Sequence, residues 1–259
     1  MKILRKLSGF VALSFRHSLS ERGEIVGRGA LYVMLLFVFS RLWKTIGDEQ
    51  GSGWTNFLWY LALTEWVLLS IPNLHLDIEA DVRSGDIVTA LPRPISYIAA
   101  KVAEGVGSAL ARLGVLGVLG VCVAWIFTGV LPDQWGSLWQ AIPTGVLGVT
   151  LGVFCGAIVG MSALWVQDVN PLYWAWHKTL FIFGGLLVPL DLYPMGLQKF
   201  AAWTPCHALL YGTGSRVLEQ SPWSLAAVLT RQGLWLLVTA ALLWFCYERA
   251  LRRIDVNGG

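Results

Sequence analysis

Six apolar segments run along this chain, separated by short polar breaks, and one of those breaks is unlike the rest. The segments are about Ile25–Ile46, Phe57–Leu74, Val102–Phe127, Ile142–Val166, Leu172–Pro189 and Leu225–Tyr247. Each is close to the roughly 20 apolar residues that a helix needs to cross the hydrocarbon core of a bilayer. A helix of this length bonds its own backbone polar groups internally, as lipid requires. The pattern therefore predicts an all-α integral membrane protein with six transmembrane helices, residues 25–259 forming one domain.

The unlike break is His75–Lys101, HLDIEADVRSGDIVTALPRPISYIAAK, with four acids, two arginines and a lysine. Asp77-Ile78-Glu79-Ala80-Asp81-Val82-Arg83 predicts a short helix, with the acid at its positive end and the base at its negative end. Ser84, Gly85 and Asp86 stop it. Leu91-Pro92-Arg93-Pro94 forbids further helix. Ile78, Val82 and Ile87 make an apolar knob amid charge, which a helix seated in a partner's groove would use and a solvated loop would not.

Two other stretches stand apart. Residues 1–24 interleave Ile3, Leu4, Leu7, Phe10, Val11, Leu13 and Phe15 with Lys2, Arg5, Lys6 and Arg16, which predicts a helix lying on the inner membrane surface; a frayed tail is the alternative. Residues 188–221 are broken by Pro189, Pro194 and Pro205, predicting two short helices, Met195–Trp203 and His207–Leu218, that dip into or lie on the outer leaflet as a lid.

Composition agrees with a membrane class. Of 259 residues 56% are hydrophobic and only 14% charged, against about 25% in soluble domains, and the mean hydropathy is +0.61. Six of the 14 tryptophans (Trp54, Trp59, Trp135, Trp139, Trp203 and Trp223) fall near expected span ends on one side, where an interfacial belt would sit. With the N-terminus inside, fourteen of the 19 lysines and arginines lie on or near the cytoplasmic side and five (Arg41, Lys44, Lys199, Arg216 and Arg231) outside. That asymmetry predicts an inner (plasma) membrane protein with both termini cytoplasmic.

Glycines recur in register. Gly148, Gly152, Gly156 and Gly160 share one helix face, and Gly114, Gly117 and Gly120 do something similar on the preceding segment. Small residues in a stripe let membrane helices approach closely; a substrate path is the other use of such a face. Glu65 lies within the second segment. As an intramembrane acid it either faces a path or proton site, or is protonated or paired with a neighbour such as Arg112 or a hydroxyl.

Catalytic patterns are missing. The phosphate-cradling G-x-x-x-x-G-K-(S/T) loop, the H-E-x-x-H zinc motif and the G-x-S-x-G nucleophile turn do not occur. Cys122, Cys155 and Cys246 fall inside expected spans, and Cys206 in the expected outer loop, without metal-ligand spacing. No enzyme chemistry, resident metal or nucleic-acid partner is expected.

The ordered set of motifs resembles the permease subunits of ABC-2 type exporters, in particular the compact six-span bacterial branch. Asp77–Lys101 is similar to that family's D-I-x-x-D-I-R-S-G cytoplasmic segment with its L-x-(R/K)-P-(I/L)-S close. Residues 183–194, FGGLLVPLDLYP, are similar to the end of its fifth span, and the tail Arg252–Gly259 to its basic ending with Asn-Gly-Gly. The resemblance spans nearly the whole chain. It implies an exporter half paired with a second permease, identical or related, and a separate cytoplasmic ATPase that carries the ATP and magnesium. It also implies that Asp77, Ile78, Glu79, Asp81, Val82, Arg83, Ser84, Gly85, Asp86 and Ile87 form the ATPase-coupling helix and its turn. By the same resemblance Met1–Ser20 is an interfacial elbow helix. Pro189, Leu190, Asp191, Tyr193, Pro194 and Pro205 belong to an external re-entrant gate, and Gln167–Pro171 is a second ATPase contact. The competing expectation is a six-span secondary transporter or channel coupling ions through Glu65 and Arg112.

Overall fold

The computed structural model describes residues 2–50, 53–90, 95–132, 135–166, 168–218 and 223–257. Among these residues the main helices follow in order: α1 (Lys2–Ser20), α2 (Arg22–Gln50), α3 (Trp54–Ser70), α4 (Leu74–Ser84), α5 (Asp86–Ala90), α6 (Tyr97–Thr128), α7 (Leu138–Met161), α8 (Asn170–Phe183), α9 (Met195–Ala202) and α10 (Leu225–Asn257). Between α9 and α10, residues 205–217 wind as one helical rod of changing pitch. It is π-helical over His207–Tyr211, α-helical over Gly212–Gly214 and tightened to 3₁₀ over Ser215–Val217. No strand occurs among the described residues.

Among the described residues, five stretches are long and apolar enough to cross a membrane: Arg22–Thr45, Trp54–Ser84, Tyr97–Thr128, Leu138–Leu164 and Leu225–Arg252. The molecule is an all-helical, multi-pass membrane protein. The segment expected at Leu172–Pro189 is not among these five. Its helix, α8, has 14 residues, about 21 Å at 1.5 Å per residue and short of a core about 30 Å thick. Gly184–Gly185 ends it, and the reason is local. Gly185 adopts φ +61°, in the left-handed region, and its carbonyl accepts the buried Tyr60 hydroxyl.

Helix α3 is the hub. Leu58, Trp59, Tyr60 and Leu61 have no exposed surface, and α2, α6, α7 and the rod surround them. Trp59, expected at the membrane boundary, is instead a core residue whose indole donates to the Val130 carbonyl at 3.2 Å. Trp66 donates to the Leu113 carbonyl at 2.7 Å, over a notch that Gly117 and Gly145 leave open on α6 and α7. On α7, Gly148 lies under the Leu209 carbonyl, Gly152 under Ile71 and Gly160 under Ile78 and His75. Gly156, on the same stripe, faces open space. On α6, Gly120 receives the Tyr32 ring, while Gly114 meets nothing.

Helix α1 does not stand apart from the bundle. Its Leu7, Phe10, Val11, Ser14 and Ser18 turn inward at helical spacing. Ser14 donates to the Glu104 carbonyl at 2.7 Å and shares a 2.8 Å hydrogen bond with Ser108, where Gly107 lets the α1 backbone approach α6. The opposite face leaves Leu13, Phe15 and Leu19 exposed.

The rod is the main departure from the expected outer lid. Cys206 to Val217 is buried throughout. Gly214 fits against Tyr60 and Thr64 of α3, and Gly212 against Val228 of α10. Gln232 of α10 donates to the Thr144 and Ala208 carbonyls at 2.9 and 3.0 Å, tying α7, the rod and α10 together. Cys206 is thus a buried thiol rather than a loop residue. The tail Arg253–Asn257 belongs to α10, while Gly258, Gly259, Gln167 and Leu91-Pro92-Arg93-Pro94 lie outside the described residues.

Candidate functional site

The charged break becomes α4, a turn at Gly85 and α5. Gly85 sits at φ +81°, a conformation that only glycine adopts without strain. The Ser84 hydroxyl donates to Asp86 Oδ2 at 2.8 Å across it. Within α4, Glu79 and Arg83 form an i, i+4 ion pair at 2.5 Å. Both ends of the dipole are matched, by Asp77 in the first turn and Arg83 in the last.

Three elements hold α4 in place. Asp81 faces α6, where the Tyr97 hydroxyl donates to it and the Lys101 ammonium pairs with it, each at 2.7 Å. Ile78 and the His75 backbone press on Gly160 of α7. The His75 ring stacks on Tyr173 of α8, centroids 3.6 Å apart and planes 12° from parallel. Neither the His75 stack nor the Asp81 tie can be read from the chain, because the partners lie 98, 16 and 20 positions away with no periodic signal.

The apolar knob points the other way from its expected role. Ile78 and Ile87 are buried in the chain's own core and Val82 is half-buried against it. The exposed face is Leu76, Asp77, Ala80, Arg83 and Ser84, continuing through Asp86, Val88 and Thr89. Val88 is 50% exposed, and Trp165, at the end of α7, is 44% exposed. An open notch of about 570 Å³ lies between Arg83 and residues 163–166. Beside it, Asp168 accepts from the Asn170 backbone and side chain at 2.9 and 2.8 Å, and these bonds hold its carboxyl below the usual carboxylate range. This surface mixes Arg83 and the acids Asp77 and Asp86 with apolar Leu76 and Val88, which suits docking of a protein. No cluster of metal-ligating side chains occurs among the described residues.

The two intramembrane charges are not partners. Arg112, 5% exposed, donates to Glu24 Oε2 at 2.6 Å. The same carboxylate accepts from Arg28 at 3.0 Å, and Arg28 also donates to the Leu69 and Ile71 carbonyls at 2.7 and 3.1 Å, closing the open end of α3. The i, i+4 spacing of Glu24 and Arg28 was the available sequence signal for this cluster. Glu65, 3% exposed, is joined by no hydrogen bond or ion pair to any described residue.

The expected gate residues gather at the far end of α7 from α4. Leu190 is buried in a short 3₁₀ turn, Asp191 accepts from the Tyr211 hydroxyl of the rod, and Pro194 opens α9. Tyr193 packs against the core, and Pro205 starts the rod. Helix α9 turns Met195, Phe200 and Trp203 outward. No protein-family model matches this chain, and no curated protein does either.

Proposed function

We propose that this chain is the permease subunit of an ATP-driven exporter of the ABC-2 type, one half of a translocation pathway worked by a separate cytoplasmic ATPase. The observation that carries this is α4–Gly85–α5: a charged helix-turn-helix between two spans, rooted in α6, α7 and α8, with one face left uncovered beside Trp165. A rigidly rooted helix transmits a push from outside into the spans; a loose loop would absorb it. The docking face is the Leu76–Ala80–Arg83–Val88 side, and the buried Ile78 and Ile87 are its anchor. The 205–217 rod, inserted among α3, α7 and α10, is the re-entrant gate at the opposite end. Helix α8 with residues 184–189 makes the sixth crossing, so both termini face the cytoplasm of an inner-membrane protein, and a second permease completes the path.

The competing ion-coupled transporter has less support. Arg112 is committed to Glu24 and Glu65 stands alone, so the two make no relay.

Co-expression with a candidate cytoplasmic ATPase from the same genome tests the proposal. The tagged chain should purify as a complex whose mass counts two permeases and two ATPases. Ala80→Glu and Val88→Asp, both on the exposed face, should leave membrane insertion intact and abolish co-purification. Arg83→Cys labelled by an impermeant reagent only from outside intact cells, or transport by the purified chain without nucleotide, would overturn it.

A further inference from the structure

A small cavity of about 170 Å³ opens where α9 meets the rod. Asp191, Gln198, Lys199, His207 and Tyr211 supply its polar lining and Trp223 an aromatic wall. Its acceptors are preset. The Tyr211 hydroxyl donates to Asp191 Oδ2 at 2.6 Å and reaches Oδ1 at 2.8 Å, orienting an exposed carboxylate that keeps further lone pairs. Gln198 Nε2 donates to the Asp191 and Tyr193 carbonyls at 3.0 and 2.7 Å, which leaves its own carbonyl oxygen to accept. His207 is 5% exposed, yet no described residue hydrogen-bonds its ring. Burial, aided by the Arg231 guanidinium, pushes that imidazole down to about 3, so it is neutral with one accepting nitrogen. The ring packs on Tyr211 and Trp223, centroids 4.7 and 5.9 Å away, and lines the cavity, so its accepting nitrogen can take a donor there.

The surrounding charge narrows the chemistry. Lys199 stands at the rim, Arg231 lies 3.9 Å behind the Trp223 ring, and Arg216 donates to the Trp223 carbonyl at 2.9 Å. The cavity itself is lined by one carboxylate, Asp191, and one ammonium, Lys199, so a bare cation meets a like charge at the rim. A bare anion would meet Asp191 and a wall of acceptors. A head bearing both charges satisfies both sides: an ammonium offers three donors to the acceptors, and a phosphate takes the lysine. The outward Met195, Phe200 and Trp203 of α9 set the cavity beside an apolar, membrane-seeking surface.

We propose that this cavity binds a primary ammonium joined to a phosphate, as in a phosphoethanolamine head, with Asp191, Gln198 and His207 receiving the ammonium and Lys199 the phosphate. The head can come from phosphatidylethanolamine or from a soluble phosphoethanolamine. The site is independent of the export proposal, because binding is measured without an ATPase.

The full chain, purified in detergent, is given equimolar phosphatidylethanolamine and phosphatidylglycerol with the same acyl chains, and retained lipid is counted by native mass spectrometry. Soluble phosphoethanolamine is titrated separately by calorimetry. The ethanolamine lipid should be retained about tenfold over the glycerol lipid, the worth of one charge-assisted contact. Heat from the soluble head means the head alone suffices; retention of the lipid without that heat means the acyl chains are needed. Asp191→Asn, whose amide oxygen still accepts from Tyr211, should cut ethanolamine-lipid retention about tenfold at unchanged melting temperature. If that variant unfolds, Lys199→Ala, on the exposed rim, decides by a severalfold fall. Equal retention of the two lipids, retention unchanged in the variants, or binding of neither probe overturns the assignment.

Discussion

The second and last apolar spans, Trp54–Ser84 and Leu225–Arg252, are nearly matched in mean hydropathy over an 18-residue stretch of each, at 1.3 and 1.5, yet 83% of that stretch is buried in the first and 17% in the last. One is a hub and the other a flank. Lipid tails are as apolar as leucine, so hydropathy decides that a helix enters the bilayer and not which helix it touches. Neighbours are chosen by shape and by the few polar groups that need partners. Helix α3 carries those features all around it: Tyr60 bonded to Gly185, Thr64 to the Leu186 carbonyl at 2.9 Å, and Trp66 to Leu113. Helix α10 ties into the bundle through Gln232 and turns Leu234, Leu237, Val238, Leu242 and Phe245 outward.

The largest effect that sharpens this contrast is expected from Tyr60→Ala. It removes a fully buried ring and its hydrogen bond, and should cost about 3–5 kcal/mol in chemical unfolding in detergent. A loss under about 1 kcal/mol would deny α3 its central place. Next comes Gly148→Val, whose Cβ would stand 2.8 Å from the Leu209 carbonyl. Backbone cannot yield there as a side chain can, so about 1–3 kcal/mol should be lost. Gln232→Ala removes a polar tie of α10 from two buried carbonyls and should cost about 1–3 kcal/mol, read from the same unfolding curves. The smallest effects belong to the flank and to open space. Leu237→Ala on α10 and Gly156→Ala on α7 should each stay within about 0.5 kcal/mol of the parent. A large loss at Leu237 in detergent would mean that its face is packed by something other than lipid.

The glycine stripe on α7 was legible as a close-packing face because its period is that of the helix. Which glycines are filled was not: Gly148, Gly152 and Gly160 meet the rod, Ile71 and α4, while Gly156 falls between neighbours. The knob of α4 was legible in the same partial way. Ile78 and Ile87 stand out as apolar among charges, but periodicity cannot say whether such a pair faces a partner or the chain's own core. Here α7 supplies the groove, through Gly160, and the outward face is the one with Arg83 and Val88. Arg112 was named as a candidate partner for Glu65, and its partner proved to be Glu24, 88 positions away.

The amino-acid order alone determined that this protein is helical and lives in a membrane, where its charged break falls, and where glycine and proline must interrupt the chain. These follow from local physics: the cost of an unpaired backbone in lipid, the 3.6-residue period and the dihedral limits of two residue types. Tertiary structure decided which span became the hub, that residues 205–217 fill the bundle instead of covering it, and that α8 stops short of a full crossing. Those outcomes depend on long-range complementarity, a glycine beneath a ring or a glutamine between two carbonyls, which no window of sequence contains.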